Sequence, residues 1–119
     1  MSTQEIARRL VELSRKGDFE AAQKELYAKD AISIEPHSTP AFEKETKGLD
    51  AILEKGKKWA DMVEQYHDMK VSDPLLADNS FAVTMFMSVT MKGRGRMDMT
   101  ELCVYQVKDG KIVSELFSM

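Results

Sequence analysis

The sequence predicts an α+β protein in which a curved, mostly antiparallel sheet wraps around three N-terminal helices. One observation behind this prediction is that apolar residues recur at helical spacing in three segments before Val63. Another is that from Val63 onward they alternate with polar residues, which is the period of a β-strand. A sheet curved around helices leaves a cavity at its open end, so the pattern also predicts a ligand pocket.

Two amphipathic helices are predicted at the N-terminus. Ser2 and Glu5 have the spacing of a capping box, and the helix that they open runs to Gly17. Asp18 is expected to cap the second helix, and Tyr27 lies beside the apolar stripe of that helix. The stripes consist of Ile6, Leu10 and Leu13 in the first helix and of Phe19, Ala22 and Leu26 in the second. Both stripes are interpreted as core, and only the Tyr27 hydroxyl is expected to reach the cavity.

A short strand and a long loop follow the second helix. Residues Ala31 to Glu35 alternate between apolar and polar side chains, and Pro36 ends the strand. Residues 36–47 are polar and twice interrupted by proline, which predicts a long loop, either a lid or simply mobile. Glu35 at the edge of this loop is a candidate ligand contact, and a salt bridge within the loop is its structural alternative.

The third helix is predicted from about Leu49 to Met62, with Gly56 tolerated in its middle. Trp59 lies seven residues after Ile52, which places both side chains on the face of the helix that packs inward. Core packing accounts for both side chains, and Trp59 is in addition a candidate wall of the pocket.

Two strands are predicted after the third helix. Residues Val63 to Val71 alternate so that His67 falls on the more apolar side, and Pro74 closes this strand. Residues 80–91 then give the cleanest alternation in the chain. The imidazole of His67 is therefore expected to face the interior, beneath the helices.

The C-terminal segment is predicted to be a hairpin around Lys108-Asp109-Gly110. A three-residue turn that ends in a glycine bulge places Glu101 and Glu115 on one face, whereas a two-residue turn at Asp109-Gly110 separates them. The first register is favoured. It gathers Met99, Cys103, Tyr105, Val113 and Phe117 around the two acids, and it leaves Leu102, Val104, Ile112 and Leu116 as an outer apolar face.

Composition excludes several classes of protein. The 119 residues fit a single domain, residues 1–119, and 17 basic against 20 acidic side chains give a net charge of −3. This balance argues against partners such as nucleic acid or an anionic membrane surface. The N-terminus lacks the pattern of a signal peptide, and no apolar run approaches a membrane span. The lone Cys103 fits a reducing compartment, so a cytoplasmic location is expected.

Three polar residues are candidate catalytic groups. An imidazole on an apolar face, as predicted for His67, can move a proton, and burial on an inward face would raise the pKa of Glu101 and Glu115, as acid/base catalysis requires. Each also has a structural alternative, because buried polar groups are usually satisfied by hydrogen bonds. The sequence therefore predicts acid/base chemistry at a point that these side chains share.

The remaining site predictions concern the ligand and a partner. A small, largely apolar molecule is the expected ligand, and neither a cofactor nor a metal is predicted, since no ligand spacing points to one. A homodimer is expected to cover the outer sheet face. The candidate ligand-binding residues are Glu35, Trp59, Cys103, Tyr105, Phe117 and Tyr27.

Motifs along nearly the whole chain resemble the SnoaL-like branch of the NTF2-like superfamily. The N-terminal half contributes Tyr27-Ala-Lys-Asp-Ala31, Ile34-Glu35, Gly48-Leu-Asp-Ala-Ile52, Lys55, Trp59 and His67. The C-terminal half contributes Pro74, Phe81, Met99-Thr-Glu101, Tyr105-Gln-Val107, Asp109-Gly-Lys-Ile112 and Glu115-Leu-Phe117.

The resemblance implies a cone-shaped α+β fold and a small-molecule pocket. This superfamily includes ketosteroid isomerases, polyketide cyclases, dehydratases and many proteins without catalytic activity. Ketosteroid isomerases use a carboxylate base opposed by a tyrosine and a protonated aspartate, and this sequence does not match all three roles. That activity is therefore not carried over to this chain. The resemblance is compatible with an acid/base enzyme of isomerase, cyclase or dehydratase type, and a non-catalytic ligand-binding protein or a structural homodimer with a vestigial pocket is the alternative.

Overall fold

A computed structural model describes residues 1–119 and confirms the predicted α+β fold class. Its three helices are α1 (Thr3–Arg15), α2 (Phe19–Leu26) and α3 (Leu49–Met62). Its seven strands are β1 (Tyr27–Ile34), β2 (Glu45–Lys47), β3 (Val63–Val71), β4 (Leu75–Leu76), β5 (Ser80–Met91), β6 (Gly95–Lys108) and β7 (Lys111–Ser118). None of the helices combines the length and the apolar character that crossing a membrane requires.

The strands form one curved, unclosed sheet in the order β2-β1-β7-β6-β5-β3, with β4 paired to β5. Every pairing is antiparallel except that of β1 with β7, which makes the sheet mixed. The helices cover one face of it. The main core joins residues of all three helices to side chains of that face, among them Phe81, Val83, Cys103, Tyr105 and Ile112.

The helix caps match the prediction at α1 and differ at α2. The Ser2 hydroxyl accepts a hydrogen bond from the backbone N–H of Glu5, and the Glu5 carboxylate accepts one from the backbone N–H of Ser2. Asp18 occupies the N-cap position of α2, but its side chain makes no capping hydrogen bond. Asp18 is therefore the N-cap residue, as predicted, but it does not satisfy the first turn of α2 with its side chain.

Strand β1 begins at Tyr27, directly after α2, rather than at Ala31. A parallel partner, β7, pairs with both ends of it and extends it. The predicted loop is also shorter than expected, because residues 45–47 form β2 and the backbone N–H of Glu35 donates to the Lys44 carbonyl at 2.7 Å. These pairings place Tyr27 and Ser33 of β1 in the interior.

Strand β3 does not alternate regularly, and the predicted inward orientation of His67 is wrong. Tyr66 pairs with Val89 and Asp68 with Ser88, so His67 is the extra residue of a β-bulge. The side chain is exposed, and ring Nε2 lies 2.6 Å from the hydroxyl oxygen of Thr90. Neighbouring residues of a strand point to opposite faces, so Thr90 points away from the core that contains Val89. His67, which contacts Thr90, therefore lies on the outer side of the sheet.

The C-terminal hairpin reaches the predicted facing of its acids by a different route. Its turn is a two-residue one, with Lys108 opposite Lys111 and with φ values of 53° at Asp109 and 75° at Gly110. A bulge between Gln106 and Val107 then shifts the register, so that Tyr105 pairs with Glu115. The three-residue turn is therefore wrong, whereas the shared face of Glu101 and Glu115 is correct.

Because of the bulge, two residues of β7, Ile112 and Val113, do not lie where the sequence predicted. Ile112 is fully buried and belongs to the core, although the sequence placed it on the outer face. Val113 is the residue without a partner opposite it, and it borders a surface depression instead of the acids. Leu102 and Leu116 are 43% and 42% exposed, as predicted for the outer face.

Candidate functional site

The most buried charged side chain of the protein is Glu115 of β7, which is 2% exposed. The parallel pairing of β1 with β7 sets Ser33 beside it, and Tyr27 lies at the start of the same strand. The Tyr27 hydroxyl donates to Oε1 of Glu115, and the Ser33 hydroxyl donates to Oε2 at 2.6 Å. Both carboxylate oxygens are thus satisfied in the interior, as a buried acid requires.

Lys55 of α3 connects this buried acid to the edge of the site. Its Nζ donates to the Ser33 hydroxyl oxygen at 2.6 Å and to Oε1 of Glu35 at 3.0 Å. The same Nζ lies 5.7 Å from the centroid of the Phe117 ring, within cation–π range. Since Ser33 accepts from Lys55, its single proton is directed at Glu115. The result is a directional chain of hydrogen bonds from Lys55 through Ser33 to Glu115.

Burial dominates the electrostatics of Glu115 and raises the pKa of its carboxyl group. The hydrogen bonds from Ser33 and Tyr27 and the charge of Lys55 oppose this rise, and the negative charge of Glu35 adds to it. The folded protein therefore holds a proton on Glu115 more tightly than the unfolded chain does. The hydrogen-bonded chain limits the rise in pKa without cancelling it.

The raised pKa of Glu115 predicts how the stability depends on pH. A carboxyl group with a raised folded-state pKa stabilises the fold fully below its ordinary pKa of 4.5, and it loses that contribution as the pH rises through the raised value. The quantity to compare is the free energy of unfolding of the wild type minus that of Glu115→Gln. This difference is expected to fall as the pH rises above 4.5. Each tenfold gain in the proton affinity of Glu115 on folding contributes about 1.4 kcal/mol to this fall.

Urea denaturation of both proteins between about pH 4 and pH 8 measures this difference. The Ser114→Ala variant, which removes no titratable group, checks that the trend belongs to residue 115 and not to any nearby substitution. A difference that stays constant, or that grows with pH, would contradict the expected raised pKa of Glu115.

Glu101 of β6 is the second acid on the inner face. It pairs with Met85 of β5, is half-buried, and takes part in no hydrogen bond or ion pair. Burial raises the pKa of Glu101, and the negative charges of Glu35 and Glu115 raise it further. The charge of Lys55 opposes this rise. Glu101 is therefore a carboxylate with raised proton affinity and a free, partly accessible head.

Tyr105 and Cys103 lie behind Glu101, inside the core. Tyr105 is 3% exposed and stacks on Phe81 with 4.9 Å between ring centroids. Cys103 is fully buried, and burial beside Glu101 raises the pKa of its thiol to about 12. A thiol with that pKa is not a nucleophile at neutral pH. Both side chains support the site from behind.

A methionine-rich wall continues the inner face beyond Glu101. It consists of a small buried cluster and of half-buried side chains packed against it, contributed by α2, α3, β3, β5 and β6. The buried members are Val63, Met87, Val89 and Met91, and the half-buried ones are Phe19, Trp59, Met62, Met69, Met85 and Met99. Thioether side chains are flexible and polarisable, so this wall can adapt to an apolar surface.

The structure brings together most, but not all, of the predicted site residues. Tyr105 pairs directly with Glu115 and Cys103 with Phe117, and Glu101 lies on the same inner face two residues before Cys103. Lys55 joins Glu35 to this face. Tyr27 reaches Glu115, as does Ser33. Trp59 belongs to the methionine-rich wall. His67 is on the other side of the sheet, so the predicted meeting of imidazole and carboxylates is not formed.

Two surface depressions lie away from these residues. One of about 400 Å³ borders α1, and one of about 600 Å³ borders the turn between β6 and β7. Neither is lined by Glu101 or Glu115. The candidate site is instead the set of half-buried inner-face residues made up of Glu101, Glu35, Phe117 and the methionine-rich wall.

Two functional candidates, Ser33 and Lys55, were not predicted as site residues. Ser33 lies between Ile32 and Ile34 in the predicted strand, so alternation put it on the polar side, and the structure buries that side beside β7. Lys55 follows Ile52 by three residues, which puts a cation on the inward face of α3. That position was the available signal for Lys55.

Comparison with known protein families identifies the chain. The model of the SnoaL-like domain matches residues 1–119. The chain belongs to the SnoaL-like family. The resemblance seen in the sequence is thereby confirmed over the whole length of this SnoaL-like protein, whereas no functionally curated protein matches it.

Solved structures resemble the SnoaL-like protein over its entire fold. A Mesorhizobium loti protein, provisionally named a SnoaL-like polyketide cyclase [carbohydrate phosphatase], is 32% identical, with 100% of both chains covered and a TM-score of 0.92. An NTF2-like protein from Burkholderia thailandensis is 18% identical, with 99% and 90% covered and a TM-score of 0.84. A protein from Bacillus subtilis, provisionally named an isomerase, is 18% identical, with 95% and 82% covered and a TM-score of 0.68. The last two likenesses concern the fold alone.

Proposed function

We propose that this SnoaL-like protein binds a small, largely apolar molecule at its open inner face and moves a proton on that molecule with Glu101. The observation that carries the proposal is the state of Glu101, a half-buried carboxyl group with raised pKa that no hydrogen bond or ion pair engages. A general acid or base needs a pKa closer to neutral and a head free to meet substrate. The other acids of the site lack that freedom.

Each remaining residue has a supporting role in this proposal. Glu115 is a buried group that does not touch the ligand, and its negative charge raises the proton affinity of Glu101. Phe117 and Trp59 offer aromatic surface to the ligand, and Glu35 borders it while paired with Lys55. Tyr27, Tyr105 and Cys103 are buried and hold the site from behind. Isomerases, cyclases and dehydratases all transfer protons of this kind, and two structural neighbours carry cyclase and isomerase names.

The test uses the apolar ketone 2-tetralone, whose α-protons exchange with solvent when a base removes them. In D₂O near pH 7, the wild-type protein is expected to accelerate the loss of the α-proton signals in the ¹H NMR spectrum. Glu101 takes the α-proton, the enolate forms, and a deuteron returns to the same carbon. A rate equal to that of buffer with an inert protein would overturn proton transfer as the function. Saturable binding without exchange would instead favour the non-catalytic binding protein.

We also propose a homodimer that forms through the outer face of the sheet. One row of directly paired residues crosses five strands there, and all of its side chains are apolar and at least partly exposed. The row consists of Leu75, Ala82, Val104, Leu116 and Ile34. A second copy related by a two-fold axis presents the same row, which makes the face self-complementary. The lone, buried Cys103 fits the reducing cytoplasm, which is the proposed location.

Light scattering after size-exclusion chromatography tests the dimer. The wild type is expected at twice the 13.5 kDa of one chain. The Val104→Arg variant is expected to raise the dissociation constant at least about 100-fold, because an uncompensated charge in the interface costs roughly 3 kcal/mol. The Lys108→Glu variant changes an exposed residue near the turn and is expected to remain dimeric. If the wild type elutes as a monomer both at high concentration and after a 100-fold dilution, the proposed interface is refuted.

A further inference from the structure

The charged side chains of the inner face differ in how many hydrogen-bond and salt-bridge partners they have. Lys55 donates hydrogen bonds to Ser33 and Glu35 and lies over the ring of Phe117. Glu35 is the salt-bridge partner of Lys55 at 3.0 Å. Glu115 accepts on both of its oxygens. The one cation of the face therefore already has its partners, and Glu101 is the one charged group without any.

The surroundings of Glu101 are apolar. Met85 lies directly opposite it on β5, and Met99 and Cys103 are its neighbours on the same face of β6. Met85 and Met99 are half-buried members of the methionine-rich wall. A molecule placed on this wall thus meets thioether and aromatic surface along its body and one carboxylate at one end. Flexible methionine side chains set few limits on the shape of that body.

We propose that the ligand of this site has an apolar body with a single proton-donating group directed at Glu101, and that the site rejects molecules with a carboxylate head. This inference rests on the proposed function, because it assumes that ligands occupy the surface around Glu101. A carboxylate would be brought close to Glu101 and Glu35 on a partly desolvated surface, and like charges in such a place repel strongly. Lys55 offsets this repulsion only in part, because two of its three N–H groups already donate to Ser33 and Glu35.

Three probes with the same skeleton test the inference: 3-phenylpropylamine, 3-phenylpropan-1-ol and 3-phenylpropanoate. Protein labelled with ¹³C in the methionine methyl groups is titrated with each probe at pH 7, and the chemical-shift changes of the Met85 and Met99 methyl signals give the dissociation constants. We expect the amine to bind at least tenfold more tightly than the carboxylate, with the alcohol between them. The Glu101→Gln variant is expected to bring the amine within about threefold of the alcohol.

The Glu64→Gln variant is the matched control, because Glu64 is an exposed carboxylate of β3 that takes part in no ion pair. It is expected to keep the wild-type order of affinities. A carboxylate probe that binds as tightly as the amine, or an amine affinity that Glu101→Gln leaves unchanged, would overturn the inference. Backbone NMR spectra of each variant verify that it is folded.

The outcomes separate this inference from the proposed proton transfer. If the probes bind in the expected order while 2-tetralone is not exchanged, the ligand class stands and the catalytic function fails. If 2-tetralone is exchanged while the carboxylate probe binds best, the function stands and the ligand class fails. If none of the three probes moves the two methyl signals up to its solubility limit, the inference is overturned.

Discussion

The Glu101→Gln variant is expected to exchange the α-protons of 2-tetralone about 100- to 10,000-fold more slowly than the wild-type protein, the range that a positioned general base contributes. Glutamine keeps the size and polarity of the side chain but cannot take up the proton. Glu101 makes no hydrogen bond and no ion pair, so the substitution leaves no partner unsatisfied. The loss is therefore expected in the exchange rate and not in the stability.

The same NMR assay measures this variant, with Glu64→Gln as the matched change of an exposed acid and Glu101→Asp as the conservative change. Glu64→Gln is expected to retain the wild-type rate, and Glu101→Asp an intermediate one, because the shorter side chain keeps the carboxylate but withdraws it. An undiminished rate in Glu101→Gln would transfer the role of base to another group, with Glu35 as the nearest candidate at the edge of the site.

The sequence could predict that Glu101 and Glu115 lie on the same face, because this depends only on the number of residues between the paired positions of the two strands. Nine residues separate Tyr105 from Glu115, and both a three-residue turn with a regular ladder and a two-residue turn with a bulge place the two side chains on the same face. The sequence thus supported the correct face through an incorrect turn. The positions of Ile112 and Val113 depend on where the extra residue sits, and this is where the prediction was wrong.

His67 shows the corresponding limit in β3. Alternation in the sequence placed it inside, but the strand contains two irregularities, and His67 is the extra residue of the second. A bulge shifts the register by one residue, so the side chains that follow it point to the opposite face of the sheet. The position of the bulge is set by the pairing of β3 with β5 and not by the residues of β3 alone. Local sequence therefore contains no signal that would have moved His67 to the outer side.

The buried chain of hydrogen bonds could not be predicted for a related reason. Ser33 and Tyr27 reach Glu115 across 82 and 88 positions of the sequence. They meet it only because β1 runs parallel to β7, the one parallel pairing in the sheet. Periodicity within each strand predicted a polar side of β1 but could not identify its partner strand. The acids were thus predictable one by one, and the network that satisfies them was not.

The Ser33→Ala variant is expected to lose about 3 kcal/mol of its free energy of unfolding. Ser33 is fully buried, and its hydroxyl both donates to Glu115 and accepts from Lys55. Removing it leaves a buried carboxylate one donor short and breaks the connection to the ammonium group. Losses of this size exceed the roughly 1 kcal/mol typical of a neutral hydrogen bond because the partners are charged. Urea denaturation at pH 7 measures the change.

The loss is expected to depend on the charge of Glu115, which distinguishes the network from ordinary packing. In a Glu115→Gln background the same Ser33→Ala change is expected to cost only about 1 kcal/mol, since a neutral amide partner loses less than a carboxylate. The double-mutant cycle thus has an expected coupling of about 2 kcal/mol. Ser114→Ala, at a half-buried position whose hydroxyl makes no hydrogen bond, is expected to stay within about 0.5 kcal/mol of the wild type. Equal costs of Ser33→Ala in both backgrounds would mean that Ser33 acts by packing, and that Lys55 does not stabilise the buried acid through it.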